Sequence, residues 1–437
     1  MKKIFIGSIA CLLYFFVQAQ SNQDSVPGKV NLRQAVEYSL AHQPVIQQSL
    51  ADQEITEANI RSRLADWYPQ LNFRYNYQHN FVVQTAVIGD NKVKLGTDNT
   101  SSGQFTLSQT IFDRDVLLAS RTRTQVRQQA RQNTSSNKIS IAAAVSKAFY
   151  DVLATEQQIK VSAENINRIQ RSLKDAFNQY QAGVADKTDY KRATIGLNNA
   201  QALKKTNEEQ LKAKIENLKS LMGYPDSRHL EIVYDSLQME KELYFDTLQN
   251  ADVTNRIEYR QLQTQRSLLQ ANLTYNRWSF LPSLSANGAY NLNYQNNTFN
   301  KLYDVNYPNS FAAISLNFPI FQGGKRKADI QAAQWELERN KLDLISLKNN
   351  VNAEFSSAMA AYKGNLANYV ALRENLSLAT EVYDIIQLQY RSGIKTYLEV
   401  INSETDLRTA QINYYNALYN LLASKIDVQQ ALGQINY

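Results

Sequence analysis

Histidine, cysteine and clusters of acidic residues supply most metal ligands and catalytic groups in proteins. This chain contains few of them, and their spacing matches no metal-binding or catalytic motif. The three histidines, His42, His79 and His229, lie in unrelated segments, so they predict neither a metal site nor a general base. The one cysteine is Cys11. No H-E-x-x-H motif, nucleophile elbow or glycine-rich phosphate loop occurs. The sequence therefore predicts no enzyme, no metal site and no cofactor.

The charged residues that could act together belong to a pattern that occurs twice. Residues 180–183 read Tyr-Gln-Ala-Gly and are followed by Asp189, while residues 390–393 read Tyr-Arg-Ser-Gly and are followed by Glu399. Each pair is separated by the same offset, as in 393 − 183 = 210. The later Gly223 and Gly433 keep that offset. A fixed offset predicts two copies of one structural unit.

The first residues are typical of an exported protein. A basic start, Met1-Lys2-Lys3, leads into an apolar run and a small-residue site, which predicts a signal peptide over 1–19 and a linker over 20–30. Lipidation of Cys11 is disfavoured because the apolar run continues past it. Beyond residue 19 there is no apolar run of about 18 residues, so no transmembrane helix is expected. The net charge of +7 is dispersed, which disfavours a nucleic-acid partner.

Proline placement indicates very long helices. No proline occurs between Pro69 and Pro225 or after Pro319, and proline is disfavoured inside helices. Apolar residues in these tracts follow a heptad spacing, the pattern of a coiled coil. A helix over 324–391 would be roughly 100 Å long. We expect two antiparallel helical hairpins that turn near Gly183 and Gly393.

Two segments with a period of two predict β-hairpins at about 69–112 and 282–320, each closed by a polar loop (85–100 and 296–308). Aromatic-rich alternation over about 10 residues is typical of outer-membrane strands. Trp67, Tyr68 and Trp278 precede these hairpins, where they would suit a membrane interface. Ordinary packing at a helix–strand junction is the alternative.

Four strands cannot close a barrel, and open sheet edges are not tolerated in lipid. Several chains must therefore pool their strands, and a symmetric trimer would supply about twelve. The sequence does not decide between three and four chains. The expected fold is an α+β membrane protein, with a long antiparallel coiled-coil α-helical barrel below a transmembrane β-barrel. That barrel would contain four strands per chain and close only when several chains assemble.

Four motifs carry a resemblance to a known family: Asn31 to Ala35, Trp67 to Leu71, Leu316 to Gly324 and Tyr390 to Asp406. In their order and duplication the chain resembles the TolC family of bacterial outer-membrane efflux ducts over residues 31–437. The resemblance implies a homotrimer with a twelve-stranded barrel and a periplasmic tunnel. It implies two structural repeats, 31–222 and 252–437, joined by an equatorial connector over 223–251.

The resemblance also implies function and partners. The chain would be the outer-membrane duct of a tripartite efflux system in a Gram-negative bacterium. Its partners would be a periplasmic membrane-fusion adaptor, an inner-membrane pump of the RND, ABC or MFS type, and outer-membrane lipid. Two alternatives stay open: the exit duct of a type I protein secretion system, and a secreted coiled-coil scaffold. A scaffold has no need for four aromatic alternating strands.

Family resemblance assigns roles to the two tips. It implies a periplasmic gate formed by Asp189, Tyr390, Lys395, Glu399 and Asn402. Lysine stands at 395 where the family often has arginine, so the ionic latch should be less specific in geometry. Asparagine at 402 replaces an acid, which would soften cation preference. The alternative is a solvated helix end without a gating role.

The same resemblance implies that Gly183 and Gly393 are tip turns that contact the adaptor, beside Ala182 and Ser392. Glycine permits a tight backbone turn. Lys187, Lys191 and Arg192 would set the charge of the first tip.

Overall fold

A computed structural model describes residues 28–233 and 243–435. The predicted signal peptide, Cys11 and most of the predicted linker lie outside the described residues, as does part of the predicted connector. The described end of the linker is not free chain, because β1 (Lys29–Val30) pairs in parallel with β6 (Glu231–Ile232).

Helices make up most of the described chain. The two longest have 68 and 67 residues, which corresponds to roughly 100 Å each. None of the described helices is both long enough and apolar enough to cross a membrane. The helices are α1 (Leu32–His42), α2 (Pro44–Ala65), α3 (Arg114–Gln181), α4 (Lys187–Met222), α5 (Ile257–Arg277), α6 (Lys325–Arg391) and α7 (Tyr397–Ala431).

Sequence signals explain where these helices begin and end. Asn31 starts α1 with a capping box, in which its side chain accepts from the Gln34 amide. Pro44 opens α2 at a position that needs no N–H donor. The duplicated glycines end α4 and α7: Gly223 has φ 66° and Gly433 has φ 68°. A Cβ at Gly223 would lie 2.6 Å from a backbone oxygen, and one at Gly433 would lie 2.9 Å from another, so both sites require glycine.

The main sheet is built from β2 (Gln70–His79), β5 (Asn99–Phe112), β7 (Ser283–Asn296) and β8 (Asn309–Asn317). It is antiparallel, in the order β2-β5-β7-β8, which leaves β2 and β8 at its edges. A short separate hairpin, β3 (Thr85–Ile88) with β4 (Asn91–Lys94), lies in the segment that we predicted to be a polar loop.

The strand register separates apolar from polar side chains. Leu71 lies opposite Leu107, Phe73 opposite Phe105, and Phe105 opposite Tyr290, so these side chains share one face. The other face is polar, with Asn72 and Arg74 on β2 and their cross-strand neighbours Thr106 and Gln104 on β5. Most of the large apolar side chains on the first face are exposed in the single chain. The sheet therefore has an apolar surface that no layer within residues 28–233 and 243–435 fully covers.

The main core lies where α1, α3, α4, α6 and α7 meet the segment after residue 243. Tyr362 of α6 is fully buried there, donates to the Leu243 carbonyl at 2.8 Å and accepts from the Phe245 amide at 2.9 Å. This hydroxyl fixes the described end of the connector to the middle of the long helices.

Candidate functional site

The far ends of the helical hairpins form what we call the tip, residues 173–193 and 386–404. Its two turns have the same backbone geometry. Gly183 donates to the Tyr180 carbonyl at 3.0 Å and Gly393 to the Tyr390 carbonyl at 2.9 Å, each with φ 74°. A Cβ would meet nothing within 4 Å at either site, so the positive φ alone requires glycine.

The two turns meet at a small apolar cluster, in which Tyr390 contacts both hairpins. Tyr390 is only 7% exposed, and its ring centroid lies 5.9 Å from that of Tyr397. The Tyr390 hydroxyl donates to Oε1 of Gln179 at 2.9 Å, which joins the end of α6 to the end of α3. Ala176, Ala193 and Val400 complete the buried cluster. Tyr390 therefore links the two hairpins through both packing and a hydrogen bond.

The hydroxyls of the two buried tyrosines in this cluster stay protonated at neutral pH. Burial raises the pKa of the Tyr390 hydroxyl, with nearby Asp175 and Asp189 raising it further. Burial also raises the pKa of Tyr397, again with a contribution from Asp189. The structure thus places Asp189, in the first turn of α4, near Tyr390.

Lys395 and Glu399 act together, but within a single turn of the second hairpin. Lys395 Nζ lies 2.6 Å from Glu399 Oε1. Glu399 Oε2 accepts from the Thr396 amide at 2.9 Å, which makes a capping box at the start of α7. These contacts lower the pKa of Glu399 to about 2, and the hydrogen bond from the Lys395 ammonium contributes most to the shift. Within one chain these contacts form a helix cap, and the latch that the resemblance implies stays a prediction.

Asn402 is exposed on α7, one turn beyond this cap. In the first hairpin the corresponding helix start is capped by Asp186, whose side chain accepts from the Thr188 amide at 2.7 Å. Lys187, Lys191 and Arg192 are exposed around that cap. Asp189 thus lies near enough to Tyr390 to raise its pKa, whereas Asn402 lies on an exposed part of α7.

One buried acid of the tip was not predicted from the sequence. Glu404 is almost fully buried between α7 and α3, and the Ser172 hydroxyl donates to its Oε1 at 2.9 Å. Burial raises its pKa, while Arg168 on α3 opposes that shift. The available signal was its spacing, because residues 400, 404 and 407 follow the buried stripe of α7.

The predicted interface aromatics lie at the junction between helices and sheet. Trp67 and Tyr68 are exposed between α2 and β2. Trp278 is half-buried just before β7, and the Arg121 guanidinium lies 4.5 Å from its ring centroid. This cation–π interaction between Arg121 and the indole ring stabilises Trp278 at the junction. Across residues 28–233 and 243–435, no group of three potential ligands (His, Cys, Asp or Glu) could hold a metal ion.

Comparisons with known proteins agree with this architecture. The family model for outer membrane efflux proteins matches residues 35–224 and 253–434, one stretch for each repeat. The outer membrane protein TolC of Escherichia coli (strain K12) is 20% identical over 416 residues, which covers 93% of this chain and 83% of that protein.

Two solved channels share the fold. The CmeC outer membrane channel of Campylobacter jejuni gives a TM-score of 0.75 at 14% identity and covers 92% of this chain and 85% of its own. The open state of the MtrE outer membrane channel of Neisseria gonorrhoeae gives a TM-score of 0.72 at 18% identity. That match covers 92% of this chain and 88% of the MtrE chain. The resemblance to TolC is confirmed, as is the predicted location in the outer membrane of a Gram-negative bacterium. The chain belongs to the outer membrane efflux protein family.

Proposed function

We propose that three copies of this chain close into a duct that carries substrates from an inner-membrane pump and a periplasmic adaptor to the cell exterior. The observation that carries the proposal is the four-stranded sheet with two open edges and an exposed apolar face. Such edges are not tolerated in lipid, so neighbouring copies must pair β2 with β8. Three copies of a four-stranded sheet supply a barrel of twelve strands.

The two faces of the sheet support this arrangement. The face with Leu71, Phe73 and Ile314 would contact outer-membrane lipid, and the face with Asn72 and Arg74 would line water. Trp67, Tyr68 and Trp278 would then lie at the membrane interface on the helical side. The helical hairpins would extend the wall into the periplasm, with the connector over 223–251 near their middle.

The tip would be the periplasmic gate of this duct. Tyr390 belongs to the cluster that holds the two hairpins together, and Asp189 lies near enough to raise the pKa of Tyr390. The Lys395–Glu399 cap fixes the start of α7. The turns at Gly183 and Gly393 would be the surfaces that an adaptor contacts. Opening would require the Tyr390–Gln179 link to separate, which moves one hairpin away from the other.

The test begins with the assembly. Protein extracted from an outer-membrane fraction should migrate as a trimer on a gel without heating and as a monomer after heating. Expression with an adaptor and a pump, in a strain that lacks its own duct, should restore tolerance to the pump's substrates. A detergent-free soluble monomer would contradict the proposal and favour a secreted scaffold.

A further inference from the structure

The main sheet carries a single charged side chain, Arg74 of β2. The strands β2, β5, β7 and β8 contain no lysine, aspartate or glutamate and no other arginine. Arginine keeps its positive charge over the whole physiological pH range. The charge of the sheet is therefore positive and is concentrated at one position in each chain.

The strand register places Arg74 on the polar face of the sheet. Phe73 beside it lies on the apolar face, and successive side chains of a strand point to opposite faces. Arg74 is exposed and lies opposite Gln104 of β5. The same row continues across the sheet to Asn291 of β7 and Asn309 of β8. It therefore consists of one guanidinium and three neutral amides.

No carboxylate of the strands can neutralise this guanidinium. In the proposed barrel the edge strand β2 pairs with β8 of the next copy, and β8 contains no aspartate or glutamate. The segments 80–98 and 297–308, which join the strands, hold three acids against three bases: Asp90, Asp98 and Asp304, and Lys92, Lys94 and Lys301. The net charge of these segments therefore does not offset that of Arg74.

Three copies of the chain would bring three arginines to one level of the lumen. Arg74 is the fifth of the ten residues of β2, so this level lies near the middle of the strand. Strands about 4.8 Å apart and tilted by about 40° give a twelve-stranded barrel a radius of roughly 12 Å at the backbone. Side chains that point inward come closer to the axis than the backbone does. The axis therefore lies within about one Debye length, ~10 Å at 0.1 M salt, of all three charges.

The charges of the tip are too distant to alter this level. The 68 residues of α3 separate the end of β5 from the tip, which corresponds to roughly 100 Å. That distance is about ten Debye lengths at 0.1 M salt. The barrel and the tip therefore act on passing ions independently.

We propose that Arg74 sets the charge preference of the barrel, which favours anions and solutes with a carboxylate or phosphate group over cations. Rings of arginine or lysine side chains select anions in pores, and substitutions that face a barrel lumen tune selectivity. The amides of the same row can donate hydrogen bonds to such anions. The inference rests on the proposed duct and adds the class of solute that its membrane-spanning part favours.

Reversal potentials across a planar lipid bilayer test this residue directly. In a KCl gradient around 0.1 M, the permeability ratio of chloride to potassium should fall about threefold in Arg74→Gln, because three positive charges leave the lumen. Arg74→Lys keeps the charge and should keep the wild-type ratio. At about 1 M salt the Debye length is about 3 Å, so wild type and Arg74→Gln should converge.

The residue opposite Arg74 supplies the matched controls. The double variant Arg74→Gln with Gln104→Arg moves the charge to β5 on the same face and leaves the composition of the chain unchanged. It should restore the wild-type ratio. Gln104→Glu places a carboxylate opposite Arg74 and should lower the ratio, so the test does not depend on the assembly of Arg74→Gln alone.

The outcomes separate this inference from the proposed duct. Trimers that conduct with the same ratio in wild type, Arg74→Gln and Gln104→Glu would contradict the inference and leave the duct intact. A double variant that keeps the ratio of Arg74→Gln would refute a role for charge on this face. Purified trimers that pass no current in any variant would contradict the duct itself.

Discussion

The hydroxyl of Tyr390 and the side-chain carbonyl of Gln179 lie 2.9 Å apart, although 211 residues separate them in the sequence. This bond and the packing around it hold the tips of the two helical hairpins together. It is therefore the contact whose removal should most directly loosen the proposed gate.

Replacing Tyr390 with phenylalanine keeps the ring and removes this link. A hydrogen bond of this kind stabilises by about 1 kcal/mol, so the tip should open about five times more often. Amide hydrogen exchange over residues 176–193 should become faster by a similar factor. The control is Tyr369→Phe, because the Tyr369 hydroxyl is buried without a hydrogen-bond partner in the described structure. Equal exchange rates in wild type and Tyr390→Phe would contradict a holding role for this bond.

Two glycines, Gly393 in a turn and Gly364 inside a helix, should respond to alanine with opposite changes in stability. Gly393 needs a positive φ, so Gly393→Ala should destabilise the tip by about 1 kcal/mol. Gly364 lies inside α6 with open space around it, so Gly364→Ala should stabilise by up to about 1 kcal/mol through helix propensity. Urea unfolding of the two variants measures both effects. If Gly393→Ala proved as stable as wild type, the turn would not require glycine.

Glu404 makes the stability of the packing between α3 and α7 depend on pH. Burial raises its pKa, so its ionisation is disfavoured in the folded state. Stability should be fullest below the ordinary value of 4.5 and should fall as the pH rises through the raised pKa. Arg168 and Ser172 from α3, Tyr383 from α6 and Tyr397 from α7 face this carboxyl. The variant Glu404→Gln keeps an acceptor for Ser172 and should flatten this dependence.

The matched control for Glu404→Gln is Glu399→Gln, because the pKa of Glu399 is lowered in the folded state whereas that of Glu404 is raised. Its contribution should be present above 4.5 and be lost only as the pH falls toward about 2. From about pH 4 to about pH 8, the unfolding midpoint of wild type should therefore fall relative to that of Glu404→Gln, and Glu399→Gln should follow wild type. The comparison between variants is needed because burial also raises the pKa of Glu156. Identical pH profiles in wild type and Glu404→Gln would assign the effect to another group.

The two faces of β2 should respond differently to charge. Phe73 lies on the apolar face and Asn72 on the polar face, one residue apart. Phe73→Lys would place a charge toward lipid, which destabilises an outer-membrane barrel by about 2–4 kcal/mol near the midplane. Asn72→Lys would face water and should be tolerated. The fraction of heat-modifiable trimer in the outer membrane measures both, and equal loss in the two variants would contradict the assigned faces.

Much of the architecture follows from the sequence because its signals are local and repeated. The turns at Gly183 and Gly393 could be located because a positive φ selects glycine and the repeat marks it twice. The hairpin β3–β4 was missed because its alternation is short, although Gly89 has the positive φ of a tight turn. Strand β8 also ends at Asn317, earlier than predicted, because Pro319 cannot donate to a strand ladder.

The contacts of the tip could not be obtained in the same way. Glu404 and Ser172 are 232 residues apart in the sequence. No periodicity indicates that the contact between α3 and α7 contains a buried acid with a hydroxyl partner. The local role of Lys395 and Glu399 was readable as a capping box, since threonine stands three residues before the acid. The latch that the family resemblance implies for the same two residues stays a prediction. Distant pairing must come from the three-dimensional structure, whereas caps and turns can be read along the chain.

Conductance across a planar lipid bilayer tests the central claim most directly. Trimers purified from the outer membrane should insert and produce discrete current steps, because the polar faces of twelve strands would enclose water. The Tyr390→Phe variant should raise the open fraction relative to Tyr369→Phe. Purified trimer that inserts into the bilayer and passes no current in any variant would contradict the account.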